Sequence, residues 1–156
     1  MPSYPRARDL LRQLFDTAVA DAYPDEDLAR HLPDLSTGRV IVVGAGKAGA
    51  SMAQALEPAL GNISDSLIVV PYGHMKLCAS TRIMEAAHPV PDATGQAAAS
   101  RILELARSLG EGDLLICLLS GGGSALLNLP LPGLTLEEKR EVTRALLASG
   151  ASIHEI

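Results

Sequence analysis

The residues best placed to do chemistry lie in two glycine-rich stretches. The first, VIVVGAGKAG from Val40 to Gly49, holds a complete G-x-G-x-x-G with Lys47 inside it. The second, Ser120-Gly121-Gly122-Gly123-Ser124, follows the apolar run Asp113 to Leu119. Gly44, Gly46 and Gly49 let a backbone turn sharply, approach a ligand and pack a helix onto a strand, and the helix N-terminus then favours an anion. Without a ligand, the same glycines make only a tight strand-to-helix turn. Lys47 at the first turn of a helix opposes the macrodipole, which prefers negative charge there. It reads either as a solvated surface lysine or as a cation that neutralises an anion at that helix end. A phosphoryl group in transfer or a carboxylate would suit it. Three consecutive glycines permit a nest of backbone N–H groups, a cradle for an oxyanion or phosphate, to which Ser120 and Ser124 add hydroxyls.

Several familiar chemistries fail on specific residues. A nicotinamide site needs an acid at the end of the second strand to hold the ribose. Here Val69 and Val70 lead into Pro71, Tyr72 and Gly73, and Asp65 stands at the strand's beginning. A Walker loop needs Lys-Ser/Thr after its last glycine, where this chain has Ala50-Ser51. A nucleophile elbow at Ser124 fails because Leu126 replaces the final glycine of G-x-S-x-G. His88, in His88-Pro89-Val90-Pro91-Asp92, either reaches the substrate cleft or caps a strand end, and Asp92 suits a helix cap better than a base. His31, His74 and His154 have no companion at metal-ligand spacing, so no protein-built metal site is expected.

The elements that must position these loops follow from periodicity. Leu10, Leu11, Leu14, Phe15, Ala18 and Val19 mark one face of an amphipathic helix. After a polar stretch ending in Thr37-Gly38, Arg39 to Val43 reads as a strand leading into the glycine turn. Met52, Ala53, Leu56 and Leu60 then share a helix face, with Pro58 expected to end that helix early. Strands follow at Leu67 to Val70 and Arg82 to Ala87. A helix capped by Asp92 or Thr94 next aligns Ala98, Ile102, Leu105 and Leu109. Asp113 to Leu119 reads as the most buried strand, with Cys117 a buried small hydrophobe. Thr135-x-x-Glu138 is a capping box for a last helix starting near residue 136. The pattern predicts an α/β, Rossmann-like fold: a mainly parallel sheet with helices on both faces. Both glycine loops fall at carboxyl ends of strands, where ligands collect, so they are expected to face one cleft.

Composition narrows the function classes. The 156 residues form one domain with 47% apolar and 20% charged residues, a composition with core enough for a globular domain. A net charge of −5 with no basic stripe or aromatic platform argues against nucleic acid. No apolar run approaches the roughly 18 residues of a membrane span, and the Arg- and Asp-bearing N-terminal stretch is no secretory signal. Cys78 and Cys117 form no C-x-x-C, so a reducing, cytoplasmic setting is the default.

Three stretches taken together resemble the class II glycerate 2-kinases. VVGAGKA (Val42 to Ala48), EAAHPVPD (Glu85 to Asp92) and LLSGGGSALL (Leu118 to Leu127) occur in that family's order. The tail from Gly133 to Lys139 and from Ser149 to Ile156 looks like its next segment. The resemblance implies ATP-dependent phosphorylation of D-glycerate at its 2-hydroxyl, with Mg²⁺ accompanying the nucleotide. It implies an N-terminal Rossmann-like domain, of which residues 1–156 would be an incomplete part, and a C-terminal domain named for leucine-rich fragments, absent here. Carried over by position, Lys47 matches the lysine important for catalysis. Gly44, Gly46 and the Ser120, Gly121, Gly122, Gly123, Ser124 loop match substrate- or phosphate-facing residues, with His88 a further candidate. The 156-residue chain alone is expected to be inactive. Two rival readings are an NAD(P)H-dependent hydroxypyruvate reductase, a name often given to family members, and a noncatalytic phosphosugar-binding module.

Overall fold

A computed structural model describes residues 4–24, 26–33 and 38–152. Thr37, at the end of the polar stretch, and His154 lie outside them. Two unbroken apolar runs, VIVVGA and LIVV, form the centre of the fold. As β1 (Val40–Ala45) and β2 (Asp65–Pro71) they pair in parallel, with Val43 opposite Leu67. Strand β3 (Ile83–Ala86) adds to β2, and β4 (Leu114–Leu119) adds to the other side of β1, giving a four-stranded parallel sheet of order β3-β2-β1-β4. β1 and most of β2 are buried on both faces, which is why they read as continuous hydrophobic runs without alternation.

Each face has its own helix. On one, Val40, Val42, Ile68 and Val70 meet Ala50, Ala53, Leu56 and Leu60 of α2 (Gly49–Leu60). On the other, Ile41, Val43, Leu67 and Val69 meet Ala98 and Leu105 of α3 (Ala93–Arg107), with Ile102 and Leu109 packed alongside as their spacing predicts. Complete burial of a side chain such as Leu56 contributes about 1.5–3 kcal/mol. Pro58 does not end α2; the helix runs through it to Leu60. The ring falls in the last turn, where only one i→i−4 bond is forfeited. Asp92, not Thr94, caps α3, its Oδ1 accepting the Gly95 N–H at 2.8 Å.

The connection from β2 to β3 uses no helix. It is a strap lying along α2, held by the Glu57 carboxylate, which accepts N–H bonds from Ala79, Ser80 and Thr81 at 2.7, 2.8 and 2.6 Å. Gln54 adds a bond to the Leu77 carbonyl at 3.2 Å.

β4 departs from its expected burial. It is an edge strand in which Ile116 and Leu118 face α2 while Leu115, Cys117 and Leu119 are exposed. Length and hydrophobicity alone could not separate a central strand from an edge strand with one uncovered face. The N-terminal helix α1 (Tyr4–Ala22) forms as its periodicity predicts, but its apolar face, including Leu11 and Phe15, faces solvent. Among the described residues no helix is long and apolar enough to cross a membrane. After the short α4 (Gly123–Leu126), the last helix α5 (Leu136–Ala148) opens with both halves of the expected capping box. The Glu138 carboxylate accepts the Thr135 N–H at 2.7 Å, and the Thr135 Oγ1 accepts the Glu138 N–H at 3.2 Å.

Candidate functional site

The two glycine loops meet at the carboxyl ends of the neighbouring strands β1 and β4, and protein atoms fill the space the glycines open. A Cβ on Gly44 would strike the Leu118 carbonyl of β4, and one on Gly49 would lie 2.7 Å from Ile68 Cγ2. Gly46 has φ +128°, a value L side chains rarely adopt. A Cβ there would collide with Ser120 Oγ and come within 2.5 Å of the Ser120 carbonyl oxygen. Close approach is therefore required at each of these glycines by the chain's own packing.

Hydrogen bonds stitch the loops together. The Gly46 N–H donates to the Val69 carbonyl at 3.0 Å, and the Ser120 N–H to the Ala45 carbonyl at 3.1 Å. The Lys47 N–H donates to the Gly121 carbonyl at 3.0 Å, while the next amide, Ala48, donates to Ser120 Oγ, also at 3.0 Å. On the far side, His74 Nδ1 lies 3.3 Å from the Lys47 carbonyl oxygen. The Lys47 peptide is thus fixed on both sides while its side chain stands exposed. Lys47 sits two residues before α2 begins, just outside the first turn.

The Ser120–Ser124 loop turns at Gly122, whose φ of +89° suits glycine. Its missing Cβ leaves room for the His88 ring, with Nε2 2.7 Å from where that atom would be. His88 therefore packs on this loop, half-buried. Ser124 is exposed. Among the described residues the amides of Gly121 and Gly122 have no hydrogen-bond acceptor, whereas the Gly123 amide is taken by the Ser120 carbonyl at 3.2 Å. The structure thus brings together the Lys47 backbone, the turn from Ser120 to Gly122 and the His88 ring.

Asp92 stands apart from the chemistry. Besides capping α3, its Oδ2 accepts the Tyr72 hydroxyl at 2.8 Å and the Ala87 N–H at 3.2 Å. Burial pushes this carboxyl up, but the bonds from Gly95, Tyr72 and Ala87 outweigh it and hold Asp92 below its ordinary value. The sequence reading missed Tyr72-Gly73-His74 as site-forming residues. Tyr72 holds Asp92, the Gly73 N–H donates to Glu85 Oε1 at 2.7 Å, and His74 reaches Lys47. Their signal was the strand stop at Pro71, which places them at the same carboxyl end as both glycine loops.

Comparison with known proteins gives this geometry a family. Residues 10–156 match the family described as "Domain of unknown function (DUF4147)". The D-glycerate 2-kinase of Thermotoga maritima is 42% identical over 151 residues, covering 96% of this chain and 36% of the relative. An Agrobacterium vitis protein, provisionally named a hydroxypyruvate reductase, is 48% identical over 96% of this chain and 34% of its own length. Among solved structures, the glycerate kinase of Thermotoga maritima superposes with a TM-score of 0.81 at 42% identity, over 97% of this chain and 37% of that one. The chain thus spans about a third of the length of the relatives it matches. With the family matched across residues 10–156 and the fold shared with a glycerate kinase, the chain belongs to the DUF4147 family, the N-terminal domain of glycerate 2-kinases.

Proposed function

We propose that this domain supplies one wall of a glycerate 2-kinase site, at which the γ-phosphoryl group of ATP passes to the 2-hydroxyl of D-glycerate. The observation that carries the reading is Lys47, an exposed cation on a fastened backbone beside the unclaimed amides of Gly121 and Gly122. A cation beside a nest of N–H groups suits the spread negative charge of a phosphoryl group in transfer. In this reading Lys47 neutralises the transferring group, the Gly121 and Gly122 amides and the Ser124 hydroxyl hold phosphate oxygens, and His88 borders the substrate.

The donor set fits nucleotide phosphates. In this reading Mg²⁺ would accompany the nucleotide and would supply neutralisation of its phosphate charge. Catalysis by these residues is positioning and electrostatics, with no covalent step through the protein.

The reductase reading has one relative's provisional name behind it and two structural features against it. Ser120 Oγ crowds the glycine turn where a pyrophosphate would approach, and β2 ends in Val69-Val70-Pro71 without an acid for the ribose.

The test uses the full-length polypeptide that carries this segment. ATP and D-glycerate should yield 2-phosphoglycerate, with Lys47→Ala lowering kcat by about 10²–10³-fold and leaving glycerate affinity nearly unchanged. Unchanged turnover in Lys47→Ala would return Lys47 to an ordinary surface lysine. NADH consumption with hydroxypyruvate, without phosphoryl transfer, would replace the kinase reading by the reductase.

A further inference from the structure

Helix α2 begins without a cap of its own. Its N-cap residue is Ala48, and no side chain of the preceding turn bonds its first amides. Alanine is among the poorest N-cap residues, because it offers no oxygen to the orphan N–H groups of the first turn. The Gly49 amide is taken by the Gly46 carbonyl at 3.1 Å, and the amide of the cap residue Ala48 finds its oxygen far away in sequence. Ser120, just beyond the end of β4, places its Oγ 3.0 Å from the Ala48 N–H, 72 residues away in sequence. The glycine at 46 leaves the space this hydroxyl uses, since any Cβ there would overlap it. Backbone bonds on either side, Ser120 N–H to Ala45 and Lys47 N–H to Gly121, seat the same junction.

We propose that Ser120 is a positioning residue for Lys47, not a ligand of the transferred phosphoryl group. Its hydroxyl caps α2 at Ala48 from β4 and so fixes the turn that presents the lysine. The inference rests on the reading of Lys47 as the cation at the transferring group. It takes Ser120 out of the phosphate cradle and leaves that role to Gly121, Gly122 and Ser124. A reacting centre held loosely by even an ångström loses about 10²-fold in rate, so support behind Lys47 should register in turnover.

The test is a double-mutant cycle in the full-length polypeptide, joined to amide hydrogen exchange at Ala48. Ser120→Ala is expected to lower kcat by about tenfold or more, with KM for ATP and for glycerate within about twofold of wild type. In a Lys47→Ala background the same substitution should change kcat by less than about twofold, since Ser120 acts through Lys47. Exchange at Ala48 should quicken in Ser120→Ala, and Ser120→Thr, which keeps the oxygen, should restore both protection and turnover. A several-fold rise in KM for either substrate, or additive losses in the double mutant, would overturn the proposal and make Ser120 a ligand. If Ser120→Ala does not fold, Ser120→Thr decides alone. Retained Ala48 protection with retained kcat supports the proposal, and retained protection with lost kcat overturns it. Failure of the kinase reading would show separately, as no 2-phosphoglycerate formed by the wild type; slow Ala48 exchange in Ser120→Ala would still refute the cap.

Discussion

Gly46 concentrates the argument at the scale of single residues. Its φ of +128° and the Ser120 atoms facing it leave no room for any side chain. Gly46→Ala is therefore expected to lose about 1–3 kcal/mol of stability from the strained backbone, with the displaced Ser120 adding to it. Urea denaturation of the chain measures this directly, and a stability equal to wild type would mean the turn relaxes at no cost. The glycine pattern was legible in the sequence, because a backbone that turns sharply must show glycine at fixed spacings. What the glycines face was not legible. The three-glycine pattern that serves a pyrophosphate in a dinucleotide fold here meets the Leu118 carbonyl, Ser120 and Ile68, and Ser120 lies 72 residues from the amide it serves. No local pattern encodes that pairing. His74 was hidden for the same reason: its contact with the Lys47 carbonyl crosses 27 positions.

Among the elements, the strap between β2 and β3 depends on one carboxylate. Burial pushes Glu57 up, but the backbone N–H donors of Ser80, Ala79 and Thr81 outweigh it and hold the group below its ordinary value. A carboxyl lowered by folding stabilises the fold above its unfolded pKa, about 4.3 for glutamate, and loses that contribution as pH falls through the lower folded value. Glu57→Gln is expected to cost about 1–3 kcal/mol at neutral pH, since the amide supports fewer and weaker N–H bonds. The difference between wild type and variant should shrink as pH drops below the unfolded value, measured by denaturation across a pH series. A pH-independent difference would assign the loss to packing. Element type and order were largely readable: the strands, α3 with its Asp92 cap and the α5 capping box lie where patterns place them. The errors came from context. Pro58 is tolerated because it falls in a last turn, and β4 is half exposed because it ends the sheet.

The whole molecule carries more uncovered apolar surface than its core requires. Leu11 and Phe15 of α1 are each 67% exposed, Leu119 of β4 is 58% exposed, and α5 buries none of its residues. Contiguous exposed apolar faces mark surfaces that pack against something else. The chain also spans about a third of its relatives. The isolated 156-residue chain is therefore expected to bind an apolar dye such as ANS, to self-associate at micromolar concentration, and to form no 2-phosphoglycerate. Dye fluorescence, light scattering and a coupled assay check the three. A monomeric, dye-silent and active fragment would contradict this reading of the surface. Amphipathic periodicity had shown which faces want cover; it carries no information about what covers them.

The cap from Ser120 to Ala48 has a consequence for the order in which this protein is built. On the ribosome, the Lys47 turn leaves the exit tunnel 72 residues ahead of the serine that completes it. At about 5–20 residues per second, that is a wait of roughly 4 to 14 s. Throughout it, β1 has no partner on its β4 side and the Ala48 amide ahead of α2 lacks its acceptor. Lys47 thus leaves the ribosome well before the hydroxyl that fixes the turn presenting it. Chains stalled before Ser120 should hold Ala48 unprotected, and chains stalled far enough beyond it to free β4 should not.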